Sequence, residues 1–301
     1  MLGVVLAGCH AHGGTQLADL SFEPAISRPA FDVGLGPTIL IDEAHFNFHT
    51  AEGRYAPFAN LLKRDGYVVM PLAQPATADS LAGGNVFVIA NAIAESDQKG
   101  WKLPSEPAFT KSEIEAIRTW VEQGGSLLLI ADHMPFPGAV EDLAAAFDVL
   151  FGNGFLYDHE KSSKLEFTRG AGLSDHAITD GRNDSETIDS VRTFTGQAFR
   201  VNRDFDPLLT LPSGSTLRLP TEAWEFKDNT PHIPAAGMLQ GAVFEFGKGR
   251  VAVFGEAAMF SAQQITPKEG DIVLMGMNRD DAAQNPQFLL NVMHWLSGLI
   301  G

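Results

Sequence analysis

Short apolar runs that alternate with helix-patterned segments constrain this chain most, because strands joined by helical connections of that length favour a parallel, doubly wound sheet. From Thr38 the order is a strand to Asp42, a helix near Tyr55 to Arg64 closed by Asp65-Gly66, and strands at Tyr67 to Pro71 and Asn85 to Ala90. Thr110 and Glu113 have capping-box spacing for a helix over Lys111 to Gln123, which Gly124-Gly125 stops before a strand at Ser126 to Ala131. A further helix is expected over Ala139 to Val149. The middle third then loses its period: Phe155 to Thr168 reads as extended and Ser174 to Arg203 as turns with short strands, an irregular insertion expected over the cleft. Regularity returns with a hairpin, Gly237 to Phe246 and Arg250 to Gly255 around Gly247-Lys248-Gly249, and a final helix capped by Asn285 and started by Pro286.

Three of these strands end in polar side chains, and ligands of open α/β sheets bind at the carboxyl ends of strands. Thr38 to Ile41 runs into Asp42-Glu43-Ala44-His45-Phe46-Asn47-Phe48-His49, and Ser126 to Ala131 runs into Asp132-His133-Met134-Pro135-Phe136. The third, after Arg250 to Gly255, is Glu256 to Ser261. In an extended chain His45, Asn47 and His49 share a face, and in a helix His45 and His49 still do. Glu43, His45, Asp132 and His133 are therefore candidate acid/base residues, and Asn47, Arg54, Phe136, Glu256 and Ser261 candidate ligand contacts. Asp42, His45, His49 and Asp132 have the donor chemistry for a divalent ion such as zinc, although no H-E-x-x-H spacing supports it. The same side chains also serve as caps and loop anchors. Asp158-His159 and Asp175-His176 could reach the cleft or serve as structural elements, His176 before Ala177 to Gly181 reading as a turn. Trp224 reads as a sugar-stacking or half-buried ring, and His294 as packing or surface. No Walker loop and no G-x-G-x-x-G follows the first strand.

The chain of 301 residues carries 21 Lys and Arg against 37 Asp and Glu, a formal charge of -16, which argues against a nucleic acid partner. The single cysteine, Cys9, rules out an intrachain disulfide and a cysteine-based zinc cage. Leu6-Ala7-Gly8-Cys9 resembles the lipobox of bacterial lipoproteins, although only eight residues precede the cysteine and none is basic. This reading makes residues 1–9 a signal remnant, residues 10–37 a Gly- and Pro-rich tether, and residues 38–301 one domain. Lipidated Cys9 would be the membrane contact, with the domain facing the periplasm.

The order of elements resembles the class I glutamine amidotransferase-like superfamily, a flavodoxin-like fold with helices on both faces of a mainly parallel sheet. Within it, the chain is similar to bacterial branches related to gliding-motility transport accessory proteins and trehalose-utilisation-like proteins. Ile39 to His45, Gly124 to Asp132, Gly249 to Glu256 and the Asn285 to Gly298 helix carry that resemblance. The family's nucleophilic cysteine follows the strand that corresponds to Ser126 to Ala131, where this chain has Asp132-His133-Met134, so the resemblance does not extend to glutaminase activity. Two expectations follow: a binding module for a small ligand, such as a carbohydrate or cell-wall fragment, or a partner protein; or a hydrolase built from the strand-end Asp, Glu and His residues, with or without a metal.

Overall fold

The computed structural model describes residues 15–158, 162–267 and 270–301, so Cys9 and His159 lie outside the described residues. Six strands make the centre of the fold: β1 (Thr38–Asp42), β2 (Val68–Leu72), β3 (Val86–Ala90), β4 (Ser126–Ile130), β5 (Leu239–Phe246) and β6 (Gly249–Phe254). β1, β2, β3, β4 and β6 are parallel and lie in the order β2-β1-β3-β4-β6. β3 and β4 are buried at every position, as strands covered on both faces must be.

The period-two alternation of these strands separates two cores. Ile39, Ile41, Val86, Val88, Leu128 and Ile130 pack on one face with α1 (Ala56–Arg64) and α3 (Asn285–Leu296). Leu40, Phe87, Ile89, Leu127 and Leu129 pack on the other with Ile117 and Val121 of α2 (Lys111–Glu122). Each fully buried aliphatic side chain contributes about 1.5–3 kcal/mol, so these two layers dominate stability. The capping box of α2 is formed as the spacing predicts: Thr110 Oγ1 accepts from the Glu113 N–H, and the Glu113 carboxylate accepts from the Thr110 N–H at 2.9 Å.

The expectation of a mainly parallel sheet is corrected to a mixed one of twelve strands. Gly247-Lys248 makes a tight hairpin, with Gly247 at φ +62, and pairs β5 antiparallel to β6. Such a turn reverses the chain within the sheet without a crossover helix. Asp206–Thr210, Gly172–Leu173, Glu166–Arg169 and Ser190–Arg192 then continue the sheet beyond β5, so much of the irregular middle third extends the main sheet. The rest folds back as a separate three-stranded sheet of Phe155–Tyr157, Thr216–Arg218 and His232–Pro234.

Three local expectations also change. The helix read over Ala139 to Val149 is two short helices, Phe136–Ala139 and Glu141–Ala145, broken where Val140 leaves helical geometry, and it is followed by a strand at Val149–Phe151. Asn285 is the first residue of α3 rather than its cap; its amide donates to the Arg192 and Met259 carbonyls and accepts from the Arg192 N–H, tertiary partners that replace a local cap. Of the stretch read as a tether, residues 15–37 are described, and they are docked. Thr15–Ala18 pairs with Ala262–Thr266, which pairs with Val273–Gly276, and the Ala30 N–H donates to the Asp65 carboxylate.

Candidate functional site

β1, β3, β4 and β6 bring their carboxyl ends to one edge, where the register sets Phe254 beside Ile130 and Ile130 beside Ala90. Asp42 ends β1, and Asn91, Asp132 and Glu256 follow β3, β4 and β6. Asn91 adopts φ +51, a left-handed conformation that Asn tolerates better than most residues. It ties three segments together: its N–H donates to the Ile130 carbonyl, its carbonyl accepts from Phe48 N–H, and its side-chain oxygen accepts from Asp132 N–H.

The strand-end residues separate into two groups. In the first, His45 lies between two carboxylates, with Nδ1 at 2.8 Å from Asp42 and Nε2 at 2.9 Å from Glu113, and it stacks on Phe109. Burial opposes a charge on this ring, but hydrogen bonds and attraction from Asp42, then Glu113, outweigh it and hold its pKa above the ordinary histidine value. Asn47 completes the group by donating to Asp42 and accepting from His45 N–H. Both ring nitrogens already meet carboxylates, so His45 has none left for a metal ion or for proton transfer to a substrate.

The second group lines a cavity of about 120 Å3 at the same edge. Its aromatic walls are Phe48, Trp101, Phe136 and Trp224, and its polar side chains include His49, Asn91, Asp132, His133 and Thr195. Gln16, Gln263, Ile265 and Met275 of the small N-terminal sheet close it. The rings form a continuous belt, with centroids 5.8 Å apart for Phe48 and Trp101, 5.8 Å for Trp101 and His133, and 4.7 Å for His133 and Trp224. His133 also stacks on Phe155 and donates from Nδ1 to the Met134 carbonyl.

Asp132 accepts from His133 N–H at 2.7 Å and from the Thr195 hydroxyl at 3.2 Å. Behind it, Glu256 is fully buried and accepts from the Ala258 and Met259 N–H groups. Burial and then the charge of Asp132 push the Glu256 carboxyl well above its ordinary pKa, against the pull of those backbone donors. His49 is 2 % exposed, and its Nδ1 has no hydrogen-bond partner. Burial first, then Arg54 and His133, hold its pKa well below the ordinary value, so it is neutral at pH 7. Trp224 adopts φ +69, and its buried Nε1 also lacks a partner. A non-glycine residue in that region costs of order 1–3 kcal/mol and persists where surrounding structure imposes it.

Of the residues singled out in the sequence, the structure brings His49, Asp132, His133, Phe136 and Trp224 to the cavity. The others have different tasks. Glu43 accepts from Ala51 N–H and fixes its loop, while Arg54 donates to the Phe48 carbonyl and lies 3.7 Å over the Phe48 ring. Ser261 is buried and receives a hydrogen bond from Gln263, so it positions a cavity residue without lining the cavity. The acid/base set of Glu43, His45, Asp132 and His133 is split between the two groups. The metal set of Asp42, His45, His49 and Asp132 is split in the same way, and among the described residues no three or more His, Cys, Asp or Glu side chains are arranged to hold a metal ion.

Gln16, Asn91, Trp101, Thr195 and Gln263 line the cavity without having been singled out in the sequence. Asn91 did carry a signal, since it directly follows an apolar strand. His176 caps the short Ala177–Asp180 helix through its side chain, and His294 bonds Asp65 in the core, as their structural readings expected.

No known family profile matches the sequence, and no curated protein matches it significantly. Solved structures do share its architecture. The mmIFT52 N-terminal domain aligns over 86% of this chain and 97% of its own at 16% identity with a TM-score of 0.57, a likeness of fold alone. Neighbours also include ThuA-like proteins from Bacteroides uniformis, at 13% identity over 91% of this chain and 94% of its own with a TM-score of 0.49, and from Parabacteroides merdae, at 11% identity over 86% and 89% with a TM-score of 0.46.

Proposed function

We propose that the protein is a binding module of the bacterial cell envelope that captures a small organic ligand, of the size and kind of a carbohydrate or cell-wall fragment, in the strand-end cavity. The observation that carries this reading is the enclosure of the Asp132 carboxyl and the His133 ring, at the strand ends, by the aromatic side chains of Phe48, Trp101, Phe136 and Trp224 around one cavity. The aromatic belt supplies apolar faces for the body of such a ligand.

The order β2-β1-β3-β4-β6 agrees with the flavodoxin-like order once the antiparallel β5 is set aside. It favours the amidotransferase-like reading of the fold, and Asp132 in place of a cysteine argues for a site that binds rather than one that hydrolyses glutamine. Cys9 tethers the domain through a lipid in this reading. Among the described residues no helix is long and apolar enough to cross a membrane.

Tryptophan fluorescence of the protein, titrated with monosaccharides and peptidoglycan fragments, tests the binding reading, because Trp101 and Trp224 line the cavity. A saturable change abolished in Trp101→Ala supports it, and no response across the panel removes it. Radiolabelled palmitate tests the tether, whose label must disappear in Cys9→Ser. A second reading, hydrolysis, is favoured by Asp132 and His133 lining one cavity. Turnover of a glycoside or amide by the wild type but not by His133→Gln, with ligand binding retained, would make it the leading one.

A further inference from the structure

The charge and shape of the cavity specify more than a small ligand. We propose that the ligand carries a primary ammonium group, seated against Asp132 and the surrounding rings, so that an amino sugar or alkylamine is taken in preference to a neutral or anionic molecule. The inference rests on the reading of this cavity as a ligand site.

Several observations support it. Asp132 is 6 % exposed, and no Lys or Arg among the described residues forms an ion pair with it or lines the cavity. Among the described residues such a carboxylate lacks the Lys or Arg countercharge that buried carboxylates ordinarily have. Glu256 lies behind it, fully buried, and its carboxyl is pushed up first by burial and then by the charge of Asp132. A cation in the cavity offsets the Asp132 charge, whereas an anion is repelled by it.

The Asp132 carboxylate accepts from the His133 N–H and the Thr195 hydroxyl, and its remaining lone pairs are available for the N–H donors of a primary ammonium. The π-faces of Phe48, Trp101, Phe136 and Trp224 attract a cation within about 6 Å of a ring centroid, most strongly for tryptophan. The volume, about 120 Å3, is several times the ~10–15 Å3 that one water needs, and suits an organic group better than a bare ion.

Among the described residues, Arg54 is the Arg whose charge acts on the cavity side chain His49. It donates to the Phe48 carbonyl and covers the Phe48 ring, and it is not part of the lining. Its presence lowers the affinity of the cavity for a cation without supplying a binding group for an anion.

Matched ligands on the wild-type chain test the charge directly, by calorimetry and tryptophan fluorescence at pH 7 in low salt: glucosamine against glucose, and n-butylammonium against butan-1-ol. The expected result is saturable binding of at least one ammonium compound, at least tenfold tighter than its neutral partner and at least tenfold weaker in Asp132→Asn. Glucose binding as tightly as glucosamine, or butan-1-ol as tightly as n-butylammonium, overturns the ammonium inference and leaves the cavity a ligand site. No binding by any of the four probes also overturns the ammonium inference, while the response to the wider panel of cell-wall fragments decides separately whether the cavity binds ligands at all. Because the paired ligands differ only at the charged group, the test holds even if Asp132→Asn fails to fold.

Discussion

His45 and His133 each follow an aspartate at the end of a parallel strand, yet one is closed and the other open. His45 meets carboxylates at both nitrogens and stacks on Phe109, so its environment is complete within the protein. His133 gives one nitrogen to a backbone carbonyl and turns an aromatic-lined face to a cavity. Similar local sequences therefore serve opposite ends, and the difference comes from what packs above them. Above His45 lies the start of α2 with Glu113; above His133 lie Trp101 and Trp224, from segments far apart in the chain.

The largest test of this contrast is His45→Ala, which leaves Asp42 and Glu113 as buried carboxylates without their shared cation. Equilibrium denaturation is expected to register a loss of about 3–5 kcal/mol, as for other broken buried pairs. A loss under 1 kcal/mol would mean that His45 is not a structural clamp. His133→Ala removes one hydrogen bond and the stacking on Phe155, so a smaller cost of about 1–3 kcal/mol is expected, together with loss of the ligand-induced fluorescence change. Equal destabilisation by the two variants would erase the distinction between closed and open histidines.

Thr110→Ala removes a cap that also orients the carboxylate of Glu113 toward His45, and about 1 kcal/mol is expected from the cap alone. The double mutant with His45→Ala should cost less than the sum of the singles, because Thr110 reaches His45 through Glu113.

The smallest effect is in the pH dependence of melting. The raised His45 pKa contributes stability that is complete below the unfolded value of about 6.5 and is lost as pH rises through the folded value. The depressed His49 pKa acts in the other direction, with stability intact above about 6.5 and lost as pH falls toward the folded value. His45→Gln should flatten the alkaline limb of the melting profile and His49→Phe the acid limb; an unchanged limb in either variant would refute the assignment.

The sequence carried the parallel half of the fold because β3 and β4 are uninterrupted apolar runs and the Thr110 to Glu113 box is local. It did not carry the extension of the sheet by strands such as Gly172–Leu173, which are too short to have a period and exist only by pairing with distant partners. The same limit applies to the cavity. Asp132 and His133 were legible because they follow a strand, whereas Trp101, Thr195 and Gln263 acquire their place from tertiary packing. Gln16 stood in a stretch whose glycines and prolines masked a four-residue strand.

That strand gives the cavity a mechanical property. Thr15–Ala18 is the edge of its small sheet, held by four residue pairs to Ala262–Thr266, and its Gln16 donates to Gln263 within the cavity wall. A pull on the chain ahead of Thr15 bears first on this edge and then on the wall itself. Load at the amino end and occupancy of the cavity therefore act on the same few hydrogen bonds, and a bound molecule that engages Gln16 or Gln263 raises the force needed to peel the strand away.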